Sequence, residues 1–194
     1  MTFPTPLRSA RLLLRRLQSG DAPALHSYRS LPEVARFQSW SSFKLDDATR
    51  LIEEQAAAEP NVAGTWFQFA IVEAATETIV GDCGLHCLLD EPQQMELGIT
   101  VSPNHQKRGY AIEALECLLD SVFGTLAKHR VFAVTDAENV AAASLFTRLG
   151  FRQEAHFIEH RLFKGNWGSE RVFAILGREW HSRRALPLMN SKIE

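Results

Sequence analysis

The stretch Glu96-Leu-Gly-Ile-Thr-Val-Ser-Pro-Asn-His-Gln-Lys-Arg-Gly-Tyr-Ala-Ile-Glu-Ala-Leu115 constrains this chain more than any other. An apolar β-type run leads into a short polar, basic loop, a glycine follows, and an amphipathic helix starts at once. A helix that opens directly after a loop presents unpaired backbone N–H groups and a partial positive charge, which together favour phosphate. Gly109 allows a close backbone approach that a Cβ would block, and Lys107 and Arg108 add full charges beside it. The unit therefore predicts a ligand that carries a diphosphate. The common nucleotide loops do not fit, because neither G-x-x-x-x-G-K-[ST] nor a G-x-G-x-x-G after a strand is present.

The remaining sequence bounds the class. A length of 194 residues predicts one domain over residues 1–185, with 186–194 as a loose tail. The net charge of −2 argues against a nucleic-acid binder. No apolar run approaches the ~18 residues of a membrane span. No secretory h-region follows Met1, so a cytoplasmic location is expected. Cys83, Cys87 and Cys117 suit buried packing better than a disulfide framework. The Cys83, His86, Cys87 group lacks a second ligand pair, so no metal is expected. The basic runs at 8–16 and 178–184 read as solvated faces.

Hydrophobic periodicity predicts strands at 11–17, 66–73, 79–88, 94–101, 131–135, 151–163 and 170–176. Helices are predicted at 22–30, capped by Asp21, and at 47–59, capped by Asp46 and closed by Pro60. Further helices follow the basic loop and span 140–149, stopped by Gly150, and 178–184, with a helical turn at 32–36. The order gives an α/β or α+β domain with a mixed sheet.

Two segments carry a family resemblance. Gln106-Lys107-Arg108-Gly109-Tyr110-Ala111 resembles the Q/R-x-x-G-x-G/A motif of the GNAT superfamily of N-acetyltransferases. Asn139, eleven residues before Gly150-Phe151, opens a stretch that resembles the second signature of that family, at the expected separation from the first. Ser9-Ala-Arg-Leu-Leu-Leu-Arg15, residues 37–40, residues 163–170 and Arg178-Glu-Trp180 are similar to the branch that contains ribosomal-protein N-terminal acetyltransferases. The resemblance implies a mostly antiparallel sheet of about six or seven strands, flanked by helices and splayed at its central strands. It also implies acetyl-CoA as cosubstrate, with the diphosphate on the backbone of Lys107 to Ile112, including Gly109, Tyr110 and Ala111, in the loop that Gln106 opens. Ile99, Thr100 and Val101 would offer backbone groups to the pantetheine arm. Asn139 would bond the cofactor or cap the next helix, or both. Phe146 would pack beside the cofactor or in the core.

In this family the amine attacks the thioester directly, assisted by a general base and a backbone N–H near Ile99 or Thr100 that receives the carbonyl oxygen. The tyrosine acid and glutamate base of many peptide N-terminal relatives are replaced here by Phe146 and Val134, so that pair does not carry over. Glu96, at the start of the central strand, is the first candidate base. Asp82 and His86, on one face of the neighbouring strand, are the second. Trp40, Trp66 and Trp167 are candidate walls for the acceptor. The expected acceptor is a primary amine: a protein N-terminus or lysine, a small metabolite, or an aminoglycoside. A non-catalytic acyl-CoA sensor is the alternative. The chain is expected to act as a monomer or homodimer.

Overall fold

The computed structural model describes residues 3–185. The expected tail at 186–194 lies outside the described residues. Among the described residues, eight strands form one sheet: β1 (Leu7–Arg8), β2 (Leu12–Arg16), β3 (Trp66–Glu73), β4 (Thr78–Cys87), β5 (Gln94–Val101), β6 (Arg130–Asp136), β7 (Arg152–Phe163) and β8 (Asn166–Leu176). Their spatial order is β1-β2-β3-β4-β5-β6-β8-β7. All neighbours pair antiparallel except β5 and β6, which are parallel. The strand count exceeds the expected seven because β1 has only two residues, too few to display an alternation.

The helices are α1 (Ala22–Arg29), α2 (Pro32–Ala35), α3 (Leu45–Ala56), α4 (Tyr110–Gly124), α5 (Val140–Arg148) and α6 (Gly177–Ala185). Helix α4 buries Ala114, Leu115, Leu118, Leu119, Val122 and Phe123, a stripe at three- and four-residue spacing that can face only one neighbour. That stripe packs on Leu14, Phe69, Cys83, Leu85, Leu97 and Val131 of the sheet. Trp180 of α6 closes the same core, and its indole N–H donates to Asp120 at 2.9 Å. On the opposite sheet face, Leu25 and Tyr28 of α1 and Ala48 and Ile52 of α3 form a second, smaller core with Ala70 and Val72. The sheet is therefore covered on both faces, as an α/β layer needs.

Some local expectations are corrected. Asp21 does not cap α1, because its carboxylate accepts from Arg15 at 2.7 and 2.9 Å and from the Gln18 backbone N–H at 2.8 Å. Asp46 does not cap α3: the helix begins two residues earlier than expected, at Leu45, and Asp47 takes the Lys44 N–H at 2.8 Å. That helix ends at Ala56, short of Pro60. Strand β8 begins at Asn166, four residues before the expected start, because the Lys164-Gly165 turn adopts positive φ at both residues and folds the hairpin tightly.

Among the described residues, no helix is long and apolar enough to cross a membrane, and no group of His, Cys, Asp or Glu could hold a metal ion. Cys83 and Cys87 are buried and Cys117 is half-buried, all three as free thiols.

Candidate active site

The site begins where two strands part. β5 pairs with β6 only at Gln94, Met95 and Glu96, opposite Arg130, Val131 and Phe132. Beyond this point β5 continues against β4 alone, out to Val101, while β6 continues against β8 alone, out to Asp136. One backbone edge of Ile99, Thr100 and Val101 is thus without a strand partner, and unpaired strand edges seek hydrogen bonds. The Thr100 hydroxyl accepts from Gln38 Nε2 at 3.1 Å, which brings the α2–α3 connection over the opening.

Past Val101 the chain enters the basic loop. Gln106 Nε2 donates to the Val101 carbonyl at 3.0 Å, so this side chain ties the loop to the strand end. Lys107 (φ +60°) and Gly109 (φ +82°) both adopt left-handed backbone around Arg108. Gly109 is the N-cap of α4, and the helix's first backbone bond runs from the Glu113 N–H to the Gly109 carbonyl at 3.1 Å. The N–H groups of Tyr110, Ala111 and Ile112 are therefore left over at the N-terminus, as in any helix. The Tyr110 side chain turns inward, with its hydroxyl on Glu73, and Ile112 packs against the main core. Lys107 and Arg108 are exposed.

The two residues of the second motif are placed as their structural roles require. Asn139 caps α5, its Oδ1 accepting from the Ala142 N–H at 3.0 Å. Phe146 lies in the core against Phe151 and Phe173, at ring-centroid distances of 5.3 and 6.0 Å. Thr135, buried on the part of β6 beyond the split, has a hydroxyl with no hydrogen-bond partner among the described residues.

The catalytic candidates divide sharply. Asp82 is 1% exposed, and its carboxylate receives the Tyr28 hydroxyl, Gln68 Nε2 and the Arg29 guanidinium, with Arg29 Nε at 3.1 Å. Buried charges persist when paired and hydrogen-bonded in this way. The anticipated convergence of Asp82 with His86 does not occur. They do share a strand face, but Gly84 between them leaves room that Gln68 and Trp66 fill.

His86 instead faces Glu96, its cross-strand partner, with Nδ1 3.8 Å from Oε2. Trp66 stacks on the imidazole at 5.0 Å and 12°. Burial pushes the Glu96 carboxyl above its ordinary value; His86 pulls it down, and Glu170 pushes it up again.

Glu96 opens into a cleft of about 160 Å³ lined also by Phe37, Val134, Asp136, Arg161, Phe163 and Glu170. Four elements build it: β5 with Glu96, β6, the β7–β8 hairpin and the α2–α3 connection with Phe37. β6 carries Val134 and Asp136, and Glu170 lies directly across the β6–β8 register from Asp136. The β7–β8 hairpin contributes Phe163 and is tied to the α2–α3 connection by Lys164 Nζ, which donates to the Ala35 and Trp40 carbonyls at 2.6 Å each. Three carboxylates line the cleft, and one of them, Glu170, sits 2.8 Å from Arg161 and 3.2 Å from His160 Nε2. Of the three candidate tryptophans, Trp66 stands at the site through His86, and Trp40 backs the connection by donating to the Arg29 carbonyl at 3.0 Å. Trp167 is 64% exposed and does not line the cleft. Sequence reasoning missed Asp136 and Glu170 as site residues. Only the pairing of β6 with β8 brings them together, and no local pattern announces it.

The unpaired β5 edge, the buried Thr135 hydroxyl and the left-handed Gly109 at a helix start fit a ligand with an extended polar arm and a diphosphate. Residues 11–152 match the model of the Acetyltransferase (GNAT) domain. An uncharacterized N-acetyltransferase, p20, of Bacillus licheniformis is 29% identical over 90% of this chain and 97% of its own. A spermidine N(1)-acetyltransferase of Vibrio cholerae is 22% identical over 90% of this chain and 98% of its own. The crystal structure of a GNAT-family acetyltransferase from Bacillus anthracis superposes with a TM-score of 0.82 at 24% identity, covering 90% of this chain and 99% of that one. With two motifs, a split central sheet and a family match over most of its length, the chain belongs to the GNAT acetyltransferases, acyltransferases whose acetyl donor is acetyl-CoA.

Proposed function

We propose that this acetyltransferase acts on the primary amine of a small cationic molecule, with Glu96 as general base and His86 beside it. The observation that carries the reading is the cleft that Glu96, Asp136 and Glu170 line, with one arginine, Arg161, among its lining residues. Carboxylates concentrated in a partly enclosed cleft attract a cation and raise its local concentration. A volume of about 160 Å³ leaves room for the amine end of a slender aliphatic chain. The spermidine acetyltransferase among the relatives supports the same acceptor class.

Bound acetyl-CoA supplies the acetyl thioester. In this reading the chain's residues do the rest. The backbone of Lys107, Arg108, Gly109, Tyr110, Ala111 and Ile112 holds the diphosphate, with Gln106 fixing the loop to the strand end. The free edge of Ile99, Thr100 and Val101, with Thr135 and the amide group of Asn139, lines the pantetheine arm. An alkyl ammonium, with an ordinary pKa near that of lysine at about 10.4, arrives protonated. Glu96 takes that proton, directly or through one water, and its raised pKa brings it closer to the value that suits a base at neutral pH. A proton acceptor standing in an open, cation-attracting cleft favours turnover over a purely cofactor-binding role.

The test is CoA release from acetyl-CoA with a panel of spermidine, an aminoglycoside and peptides with free N-termini. Turnover on the aliphatic polyamine with a kcat/KM well above the others is expected. Turnover confined to the peptides would overturn the acceptor class.

A further inference from the structure

Arg11 is separated from Arg108 by 97 positions in the sequence, yet its guanidinium lies against the basic loop. Nη1 and Nη2 both donate to the Arg108 carbonyl at 3.2 Å. Nε donates to Glu113 Oε2 at 2.7 Å, and the Arg11 backbone N–H donates to Glu113 Oε1 at 2.7 Å. The guanidinium carbon lies 4.8 Å from the centre of the Tyr110 ring. A Cβ added at Gly109 would stand 3.3 Å from Nη2. This one side chain therefore touches the residue before the N-cap, the space at the N-cap, and the first turn of α4.

We infer that Arg11 is a positioning residue for the diphosphate loop, acting through the Arg108–Gly109 peptide and through Glu113. The inference rests on the reading of residues 106–112 as the diphosphate site. In a trans peptide the C=O and the following N–H point in opposite directions. Holding the Arg108 carbonyl oxygen on Arg11 therefore turns the Gly109 N–H away from Arg11, and that N–H finds no acceptor among the described residues. A carbonyl oxygen pointing the other way would present negative charge where phosphate must sit.

Glu113 is the second reason. Its carboxylate lies in the first turn of α4, close enough to the N-terminus to repel an anion bound there. Burial pushes its carboxyl up, but hydrogen bonds from Ser9 and from Arg11 outweigh this and hold it below its ordinary value. It is thus ionised at neutral pH, and Arg11 compensates its charge.

Arg11 is 48% exposed, so its pair with Glu113 contributes little to folding. Its role should appear in cofactor affinity. The test uses Arg11→Met, which keeps the stem over Tyr110, with Kd measured for CoA and for pantetheine, a probe that lacks the diphosphate. CoA affinity should fall about tenfold or more, the scale of one lost charge-assisted hydrogen bond. Pantetheine affinity should stay within about twofold of wild type, and the kinetic loss should fall on KM for acetyl-CoA rather than on kcat. Arg11→Lys should recover part of the affinity. Adding Glu113→Gln to Arg11→Met should also recover part, because the uncompensated charge is removed.

Equal losses for CoA and pantetheine would make Arg11 merely structural and overturn the inference. Unchanged CoA affinity in Arg11→Met, against a wild type that prefers CoA to pantetheine, would overturn it alone. A wild type that binds CoA no tighter than pantetheine would overturn the loop reading, and the inference with it.

Discussion

His86 Nδ1 stands 3.8 Å from Glu96 Oε2, across the register that pairs β4 with β5. Trp66 holds the imidazole by stacking on it, and Nδ1 is buried with no hydrogen-bond partner among the described residues. A small contraction of this pair would make a hydrogen bond between them. Glu96 reaches the acidic cleft, whereas Asp82, the other carboxylate on this face, is sealed behind Gln68 and Arg29.

Glu96→Gln keeps the shape and removes the base. The expected loss in kcat is about 10²–10⁴-fold, the usual contribution of general-base catalysis. Because burial raises the Glu96 pKa, the active deprotonated form is lost as pH falls through a value above the ordinary glutamate of about 4.3. The wild-type rate should therefore show an acid limb above that value, and the limb should vanish in Glu96→Gln. A variant that retains most of its kcat at pH 7 would place the base elsewhere.

The neighbours should move that limb in opposite directions. Glu170 raises the Glu96 pKa, so Glu170→Gln should shift the acid limb to lower pH. His86 lowers it, so His86→Gln should shift the limb to higher pH. Full pH–rate profiles of the two variants check this. Shifts in the same direction would show that the limb does not report Glu96.

The parts of this site legible in sequence are those written in a single segment. β5 and β3 appear at their expected ends, 94–101 and 66–73, because each carries its apolar residues in a strand pattern along its own length. The loop and α4 are legible because a glycine and a long apolar stripe follow directly. What was illegible depends on contacts far apart in sequence. Asp82 and His86 share a face in any strand model, but only the docking of α1 supplies Arg29 and Tyr28 to Asp82. In sequence Arg11 belongs to a basic run that reads as solvated, and only the packing of this segment beside the start of α4 gives it its partners. Asp136 and Glu170 become neighbours only through the β6–β8 register.

Asp82 should prove structural. Asp82→Ala leaves the Arg29 guanidinium buried without its counter-charge, and breaking a buried pair in this way costs about 3–5 kcal/mol. Arg29 also lies over the rings of Trp40 and Phe43 at 4.8 and 5.2 Å, so the α2–α3 connection should loosen with it. Urea unfolding of Asp82→Ala should show the loss as a lower midpoint. A cost under about 1 kcal/mol would contradict the burial of this network.

Gly109→Val tests the loop itself. Gly109 sits at φ +82°, a conformation that costs a residue with a Cβ about 1–2 kcal/mol, and valine's branch adds bulk 3.3 Å from Arg11 Nη2. The chain has two ways to respond. It can keep the backbone and push Arg11 away, which frees the Arg108 carbonyl, or it can leave the left-handed region and turn the N–H groups at the start of α4. Either response spoils the anion cradle. Residues 106–109 are exposed, and apart from Tyr110 the buried stripe of α4 lies a turn further on, from Ala114 to Phe123, so folding should survive. Acetyl-CoA affinity should fall at least tenfold, about 1.4 kcal/mol, by calorimetric titration. Gly109→Ala should lie between wild type and valine, because it carries the conformational cost without the branch. If both variants bind acetyl-CoA as wild type does, the diphosphate does not rest on this helix terminus.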